Sequence, residues 1–168
     1  QKGHYGVAIL SKKPALSMLY GFPTDAPDAQ RRMLIGTFAL ENGKTLTLLN
    51  GYFPQGENRS HETKFPAKQK FYADLQQYLL NHHSPDDYLA VIGDINISPE
   101  DSDIGIGEAN AKRWLKEGKC SFLPEERDML ARLKSWGLVD TFRALHPNAT
   151  GKYSWFDYRS KGFEDNRG

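Results

Sequence analysis

Short apolar runs bounded by glycine, proline or charged residues predict the strands of this chain. The second and third runs are separated by Asn42-Gly43, a pair typical of a tight hairpin turn, so these two strands are predicted to be antiparallel. The fourth run is continuously apolar and predicts a central strand that delivers polar residues at its carboxyl end. The predicted strands are residues 6–10, 33–40, 45–49 and 88–92, with a short aromatic strand or loop at residues 154–158.

Apolar residues at helical spacing predict three helices, at residues 66–82, 108–116 and 124–136. The first helix has an apolar face that can pack on the sheet, formed by Phe71, Leu75, Tyr78 and Leu79. Strands followed by helices, together with one antiparallel hairpin, predict an α/β fold with a mixed sheet. The length of 168 residues suits one domain and leaves little room for a second.

Composition narrows the functional classes without naming a partner. Hydrophobic residues make up 39% of the chain and charged residues 26%, which is typical of a globular protein and excludes a disordered one. The formal net charge of +1 excludes a protein that coats nucleic acid by bulk positive charge, although a local basic face is compatible with it.

The single cysteine, Cys120, excludes an internal disulfide and any Cys-x-x-Cys metal or redox motif. A buried structural thiol in a reducing compartment is the expected role. No apolar run approaches the roughly 20 residues that a membrane span requires. The expectation is therefore a cytoplasmic protein that has no membrane partner.

Three common ligand motifs are excluded by single positions. An EF-hand that starts at Asp101 has Lys112 where the bidentate Glu must stand. A P-loop that starts at Gly51 lacks its Lys, because Glu57 takes that place. A dinucleotide fingerprint that starts at Gly105 has Asn110 in place of its third glycine.

Asp94 and Asn96 follow the apolar run at residues 88–92 and are two positions apart. If the strand geometry continues through them, both side chains point to one side of the sheet and offer hard oxygen ligands to a divalent cation. The segment 94–108 contains five acidic residues and no Lys or Arg, which favours a cation. The alternative is an Asx turn, in which both residues act only locally.

Tyr52 stands at another strand exit, in the segment that directly follows the run at residues 45–49. Its hydroxyl can donate to a phosphate oxygen, and the alternative is an ordinary core tyrosine. Trp155 and Phe156 lie next to Arg159 in a segment that mixes aromatic and cationic residues. Such a segment is typical of a surface that stacks on bases, and the alternative is a hydrophobic strand that covers the core.

Four segments taken together resemble the bacterial exonuclease III family of the endonuclease/exonuclease/phosphatase superfamily. The resemblance runs through essentially the whole chain. It implies a four-layer α/β sandwich of the DNase I-like type and a phosphodiesterase that uses Mg²⁺ or Mn²⁺. The segments are Asn50-Gly51-Tyr52-Phe53-Pro54-Gln55-Gly56, Gly93-Asp94-Ile95-Asn96-Ile97-Ser98-Pro99, Gly118-Lys119-Cys120-Ser121-Phe122-Leu123-Pro124-Glu125-Glu126-Arg127 and Ser154-Trp155-Phe156-Asp157-Tyr158-Arg159-Ser160-Lys161-Gly162.

The resemblance also implies an activity and a substrate. The expected activity is DNA repair by water attack on the phosphodiester, as a 3′-5′ exonuclease on duplex DNA and as an endonuclease 5′ to abasic sites. The expected partner is double-stranded DNA that carries abasic sites or 3′ ends, and the protein is expected to act as a monomer. The same-fold alternative is a phosphodiesterase or phosphatase for a non-DNA substrate, such as an inositol phosphate or a sphingolipid. A third hypothesis is a noncatalytic binding module.

Roles are implied residue by residue. Asp94 orients or deprotonates the attacking water, and Tyr52 hydrogen-bonds the scissile phosphate. Asn96 helps to hold the metal and phosphate or stabilises the pentavalent phosphorus. Asp94 and Asn96 are the implied metal ligands. The implied DNA-binding residues are Arg32, Gln55, Lys64, Trp155, Phe156 and Arg159, of which Trp155 and Phe156 lie against the lesion or the minor groove.

Several family residues have no counterpart in this sequence. Family members carry an Asn and a Glu metal ligand upstream of the matching region, and an Asp and an Asp-His pair downstream of it. The sequence therefore resembles the central part of a single domain, without the first and last strands. Residues 1–168 are accordingly expected to have little or no activity by themselves.

Overall fold

The computed structural model describes residues 6–156 and 161–168. Within these ranges the chain forms strands, α-helices and one 3₁₀ turn at Asp101–Asp103. In chain order the strands and helices are β1 Ser17–Tyr20, β2 Met33–Ala39, β3 Thr45–Tyr52, α1 Lys64–His82, β4 Leu89–Asp94, α2 Glu108–Glu117, α3 Pro124–Trp136 and α4 Thr141–Leu145. The three predicted helices correspond to α1, α2 and α3, and α4 was not predicted.

The strands form one mixed sheet in the order β1-β2-β3-β4. The first three strands are antiparallel neighbours, and β4 is parallel to β3. A parallel neighbour needs a crossover, and α1 lies between β3 and β4 in the chain. The mixed α/β fold predicted from the sequence is therefore confirmed for the described residues.

The hairpin between β2 and β3 is confirmed, but its loop is longer than a two-residue turn. Leu40 N donates to Lys44 O over 2.8 Å, which closes a three-residue loop. Gly43 has a φ of 78°, whereas Asn42 is not in the left-handed region. This is the arrangement in which a type I turn is followed by a left-handed glycine, and Gly43 supplies that conformation.

Residues 6–10 were predicted to form a buried strand, and this prediction is wrong. They are not in a strand, and Leu10 is 93% exposed. A short apolar run forms a strand only where a neighbouring backbone pairs with it, and no such pairing includes residues 6–10 in the described part of the chain. The first strand is β1, which was not predicted and whose residues are mostly exposed.

The fourth predicted strand is present as β4, but its predicted central position is wrong for the described residues. β4 lies at one end of the strand order, and Ile92 is 44% exposed. Its continuous apolar run is typical of a strand that is covered on both faces, as central strands are. Among the described strands, however, only β3 pairs with β4.

The chain forms two compact units. The first contains the chain up to Pro54 together with Lys70–Ile95, and so includes the whole sheet and most of α1. Its core is largely aromatic, with Phe53 packed against Phe71 and Tyr72 at centroid distances of 4.8 and 5.0 Å. Leu49, Leu75 and Leu79 complete it and are fully buried.

The second unit contains Gln55–Gln69 and the chain from Asn96 onward. Phe65, Cys120 and Leu123 form a buried cluster in it. The same unit buries an ion pair, because Lys68 and Glu126 are both 0% exposed and their Nζ and Oε1 atoms are 2.5 Å apart. Lys68 is therefore not a solvated helix charge, because its position on α1 faces the interior.

Cys120 is buried, as predicted, with 1% of its surface exposed. Burial, helped by the nearby negative charge of Glu126, raises the pKa of this thiol from 9.0 to about 12. A thiol with so high a pKa is almost entirely protonated at neutral pH and is a poor nucleophile. These properties suit the structural role expected of it.

The described helices include none that is both long and apolar enough to cross a bilayer.

Replacing Lys68 by Met is expected to lower the free energy of unfolding by about 3–5 kcal/mol, because the Glu126 carboxylate then stays buried without its cation. The double variant Lys68→Met/Glu126→Gln removes both charges and should recover most of this loss. Urea denaturation of the chain measures both values. The control is Lys112→Met, which breaks an exposed pair with Glu108 and should cost about 0–1 kcal/mol. Equal losses in the two single variants would contradict burial of the Lys68 pair.

Alkylation of Cys120 by iodoacetamide at mildly alkaline pH is expected to be slow in the folded chain and fast in urea. Between pH 9.0 and 12 the unfolded thiol loses a proton that the folded thiol keeps, so the free energy of unfolding should fall as pH rises through that window. Mass spectrometry of the single cysteine measures the first effect, and urea titrations at several pH values measure the second. Rapid alkylation of the folded chain would contradict burial.

Candidate active site

The carboxyl ends of β3 and β4 bring together two predicted site residues. The parallel register pairs Gly51 with Gly93 and Tyr52 with Asp94. The pairing continues one step further, because Phe53 N donates to Asp94 O over 3.0 Å. Parallel strands end at the same edge of a sheet, and polar residues at such an edge are well placed to form a binding site.

Gly93 allows the two strands to approach closely at this point. Its φ of 115° lies in the region that disfavours residues with a side chain. A Cβ atom at this position would be 2.0 Å from Gly51 O, a distance that real contacts do not reach. Only glycine therefore fits directly before Asp94.

Tyr52 and Asp94 both line a cleft with a volume of about 440 Å³ in the first unit. The other walls come from residues 6–8, from Asn50 and from the two register-paired glycines. Asp94 is exposed and Tyr52 is half-buried. The cleft therefore offers a carboxylate and a phenol hydroxyl to the same small volume.

Arg32 packs over the ring of Tyr52. Its guanidinium carbon is 5.1 Å from the ring centroid, and Nη1 donates to Tyr52 O over 3.4 Å. The backbones are also joined, because Tyr52 N donates to Arg32 O over 2.8 Å. Arg32 was predicted to contact DNA, and in the structure its contacts support Tyr52.

Asn50 lines the cleft as well, although it was not among the predicted site residues. Its Nδ2 donates to Ala8 O over 2.9 Å, which ties the segment at residues 6–8 to β3. In the sequence, the feature that could have identified Asn50 is its position two residues before Tyr52, at the polar end of the same strand. That position alone does not mark a site residue, because a carboxamide near a strand end is also common in turns.

Asn96 does not share strand geometry with Asp94, so the expectation that both side chains point to one side for that reason is wrong. β4 ends at Asp94, and Asn96 has a φ of 53°, in the left-handed region. Asn tolerates this conformation better than most residues with a side chain. Its carbonyl accepts a hydrogen bond from Lys68 Nζ over 2.7 Å, within the second unit.

The metal prediction rests on oxygen ligands at Asp94 and Asn96. Within residues 6–156 and 161–168 there is no group of three or more His, Cys, Asp or Glu residues arranged around a common point. Mg²⁺ often binds to proteins through only one or two carboxylates and keeps several waters. The exposed Asp94 carboxylate in a cleft fits such a partly hydrated cation.

Two acidic residues of the segment 94–108 are paired with arginines. Asp101 pairs with Arg127 at 2.9 Å, and Asp103 pairs with Arg143. Asp103 Oδ2 also accepts from Glu100 N over 3.0 Å. Arginines from later in the sequence thus neutralise two of the five carboxylates in this segment.

Gln55 and Lys64 lie in the second unit. Gln55 Oε1 accepts from Glu57 N over 2.7 Å, and Lys64 Nζ pairs with Glu57. The hydrogen bond from Lys64 lowers the pKa of the Glu57 carboxyl group. Both predicted DNA contacts therefore belong to one exposed loop and the start of α1.

Trp155 is 60% exposed, in a segment without regular secondary structure. Phe156 is half-buried and packs edge-on against Phe163 at a centroid distance of 5.2 Å. The alternative in which this segment is a strand covering the core is wrong for residues 154–156. Arg159, the last predicted DNA contact, lies outside the described residues.

Comparison with known proteins decides the family. The Endonuclease/Exonuclease/phosphatase family matches residues 1–168. The chain belongs to this family. The predicted family resemblance and the DNase I-like α/β fold class are both confirmed.

Two curated relatives match this family member along its whole length. Exodeoxyribonuclease III of Haemophilus influenzae is 61% identical over 168 residues, which are 100% of this chain and 62% of that protein. The DNA repair nuclease APEX1 of Danio rerio is 25% identical over 170 residues, covering 100% of this chain and 50% of that protein. The chain thus spans less than two thirds of the curated relatives that it matches.

Solved structures of the family superpose well. A 3′-5′ exonuclease, NExo, from Neisseria meningitidis has a TM-score of 0.77 and 27% identity, over 94% of this chain and 57% of that one. An AP endonuclease from Archaeoglobus fulgidus has a TM-score of 0.77 and 25% identity, over 93% of this chain and 56% of that one.

Replacing Gly93 by Ala is expected to lower the free energy of unfolding by roughly 2–5 kcal/mol, from the unfavourable φ and from the contact with Gly51 O. The matched control is Gly43→Ala in the same unit. It also has a positive φ, but its Cβ would meet nothing within 4 Å, so it should lose only about 1–2 kcal/mol. Urea denaturation measures both variants, and equal losses would show that β3 and β4 tolerate a side chain at this point.

Proposed function

We propose that this protein is a magnesium-dependent DNA repair nuclease that hydrolyses phosphodiesters by water attack. It acts as a 3′-5′ exonuclease on duplex DNA and as an endonuclease 5′ to abasic sites. The observation that carries the proposal is the register pairing of Tyr52 with Asp94 in one cleft at the carboxyl ends of β3 and β4. A carboxylate and a phenol in one cleft supply a proton acceptor and a hydrogen-bond donor for a phosphate.

The comparisons support the choice of DNA as substrate. The relative with 61% identity is an exodeoxyribonuclease III, and others include a DNA repair nuclease and a DNA-(apurinic or apyrimidinic site) endonuclease from Dictyostelium discoideum. One similar structure is a 3′ phosphatase, NExo, from Neisseria bound to a product DNA hairpin. The proposed substrate is accordingly double-stranded DNA that carries abasic sites or 3′ ends.

Three residues carry the proposed chemistry. Asp94 orients the attacking water and accepts its proton, and its exposure in the cleft gives a water access to the carboxylate. Tyr52 donates a hydrogen bond to a non-bridging oxygen of the scissile phosphate. Asn96 stabilises the negative charge that grows on the phosphate, because a carboxamide donates without carrying a charge that must be desolvated.

Mg²⁺, or Mn²⁺ in its place, supplies Lewis-acid stabilisation of phosphate charge when it is bound. Asp94 and Asn96 are the proposed ligands from this chain, since both offer hard oxygen atoms.

Six residues are proposed to contact DNA. Arg32 carries positive charge beside Tyr52, and Lys64 carries positive charge beside the exposed loop to which Gln55 belongs. Trp155 exposes a large aromatic face that can stack on bases or enter the minor groove. Phe156 is the residue after Trp155, and Arg159 comes three residues after Phe156.

We further propose that residues 1–168 are the central part of a single domain. The share of 62% that the chain covers in its Haemophilus influenzae relative supports this. The protein is proposed to act as a monomer, because Tyr52 and Asp94 come from one chain. A cytoplasmic location is proposed because the single cysteine is a buried thiol, which suits a reducing compartment.

A same-fold phosphodiesterase or phosphatase for a non-DNA substrate is the second candidate, since the family description includes phosphatases. A competition experiment distinguishes the two candidate functions. Duplex DNA inhibits hydrolysis of an inositol phosphate or a sphingolipid only if the DNA and that substrate bind at the same site. A noncatalytic binding module, the third hypothesis, requires that Asp94 act only as a turn former.

Nicking of an abasic-site duplex tests the proposal. The assay compares the chain with a form extended at both ends by the flanking segments of its Haemophilus influenzae relative. We expect Mg²⁺-dependent nicking by the extended form and little by the chain itself, because catalytic residues of the family have no counterpart in residues 1–168. Efficient nicking by the chain alone would contradict the expectation that the flanking segments supply required catalytic residues. No nicking by the extended form would contradict the proposed function.

In the extended form, Asp94→Asn is expected to lower kcat by about 10²–10⁴-fold, the contribution typical of a positioned proton acceptor. The control is Asp28→Asn, an exposed carboxylate of the same unit, which should leave kcat unchanged. An unchanged kcat in Asp94→Asn would instead favour the turn-former interpretation.

A further inference from the structure

We propose that the buried Lys68–Glu126 pair is a positioning element that fixes the backbone of Asn96 and Gln55. The structural part of this proposal stands on contacts within the second unit. Its catalytic consequence rests on the proposed function, in which both residues serve the phosphate or the DNA.

The Lys68 ammonium group donates hydrogen bonds to three acceptors. Its Nζ lies 2.7 Å from Asn96 O, 3.2 Å from Gln55 O and 2.5 Å from Glu126 Oε1. An ammonium group has three donors, so each is used. The group is 0% exposed, so it does not exchange these partners for bulk water.

Glu126 is held just as firmly. While Oε1 accepts from Lys68, Oε2 accepts from Leu123 N over 2.9 Å at the start of α3. The carboxylate therefore anchors the ammonium to a helix end. The stem of Lys68 is enclosed too, because a Cβ on Gly56 would come within 3.1 Å of its Cδ.

The pair contacts the two loops that follow the strand ends of the candidate site. Gln55 comes three residues after Tyr52, and Asn96 comes two residues after Asp94. Asn96 is left-handed, with a φ of 53°, a conformation that persists in a residue with a side chain only when its surroundings determine it. The bond from Lys68 to its carbonyl is one such determinant.

The preceding carbonyl is held from the same helix. Tyr72 is one helical turn beyond Lys68 on α1, and its hydroxyl donates to Ile95 O over 2.6 Å. Two consecutive carbonyls after Asp94 therefore receive side-chain donors from positions i and i+4 of α1. Backbone groups outside regular structure need such partners when they are buried.

Stability alone is a poor explanation of this pair. Two hydrophobic residues of similar volume often stabilise a protein interior as well as a buried ion pair does. They do not donate hydrogen bonds to two loop carbonyls. What the pair adds is therefore a fixed direction for the Asn96 backbone, from which its carboxamide projects.

The test uses the double variant Lys68→Met/Glu126→Gln, which removes both donors and charges without leaving one charge buried. The matched control is Lys112→Met/Glu108→Gln, the same two changes at an exposed pair on α2. The first readout is the three-bond HN–Hα coupling of Asn96 in the ¹⁵N-labelled chain, which reports φ. We expect this coupling to change in the double variant and to stay at the wild-type value in the control.

The second readout is kinetic and uses the extended form. We expect kcat on abasic DNA to fall about 10- to 100-fold with KM little changed, because misplaced groups lose transition-state contacts more than ground-state binding. A residue needed only for stability would give normal kcat once the double variant folds. A wild-type coupling at Asn96 together with normal kcat would overturn the proposal.

A third readout needs no variant. Scalar couplings across hydrogen bonds from Lys68 Nζ to the carbonyl carbons of Gln55 and Asn96 should be visible in the wild-type chain, and their absence would overturn the proposal even if the double variant fails to fold. A changed Asn96 coupling, in an extended form that cleaves no DNA, would support the positioning role while contradicting the proposed nuclease.

Discussion

The close approach of β3 and β4 at Gly51 and Gly93 is the constraint on which the candidate site depends. A Cβ on Gly93 would lie 2.0 Å from Gly51 O, so the strands reach this spacing only because the residue before Asp94 has no side chain. The register that results pairs Tyr52 with Asp94 at the sheet edge. A shift of one residue would send one of these side chains to the opposite face of the sheet.

Buried charge has a comparable role in the second unit. Lys68 and Glu126 are the buried charged residues among those described, and their partners are loop carbonyls and a helix end. Such an interior buries less apolar surface, but its hydrogen bonds fix the direction of the groups that they join. Hydrophobic contacts do not specify angles in this way. The loop that carries Asn96 thus receives a defined backbone although it lies outside any strand or helix.

The sequence predicted those parts of the fold that depend on local periodicity. The hairpin, α1, α2 and α3 follow from apolar spacing and from turn residues such as Gly43. Residues 6–10 and the edge position of β4 could not be predicted, because strand pairing is decided by which segment supplies a neighbouring backbone. The burial of Lys68 could not be predicted for a related reason, since its buried partner Glu126 is 58 residues away in the sequence. Tyr52 and Asp94 were found because each lies at the carboxyl end of a recognisable strand. For Asn96 the sequence left a strand continuation and a turn both open, because Asn is compatible with either.

Addition of Mn²⁺ to the ¹⁵N-labelled chain tests most directly whether the strand ends that carry Tyr52 and Asp94 bind a divalent cation. A paramagnetic ion broadens nearby amide resonances even when it binds weakly. If these strand ends bind a divalent cation, we expect selective broadening of the amide resonances of Tyr52, Gly93 and Asp94 at low Mn²⁺ concentration. Excess Mg²⁺ should reverse the broadening, and Asp94→Asn should abolish it. Broadening that is centred on residues 100–108 instead, or that is uniform over the chain, would contradict it.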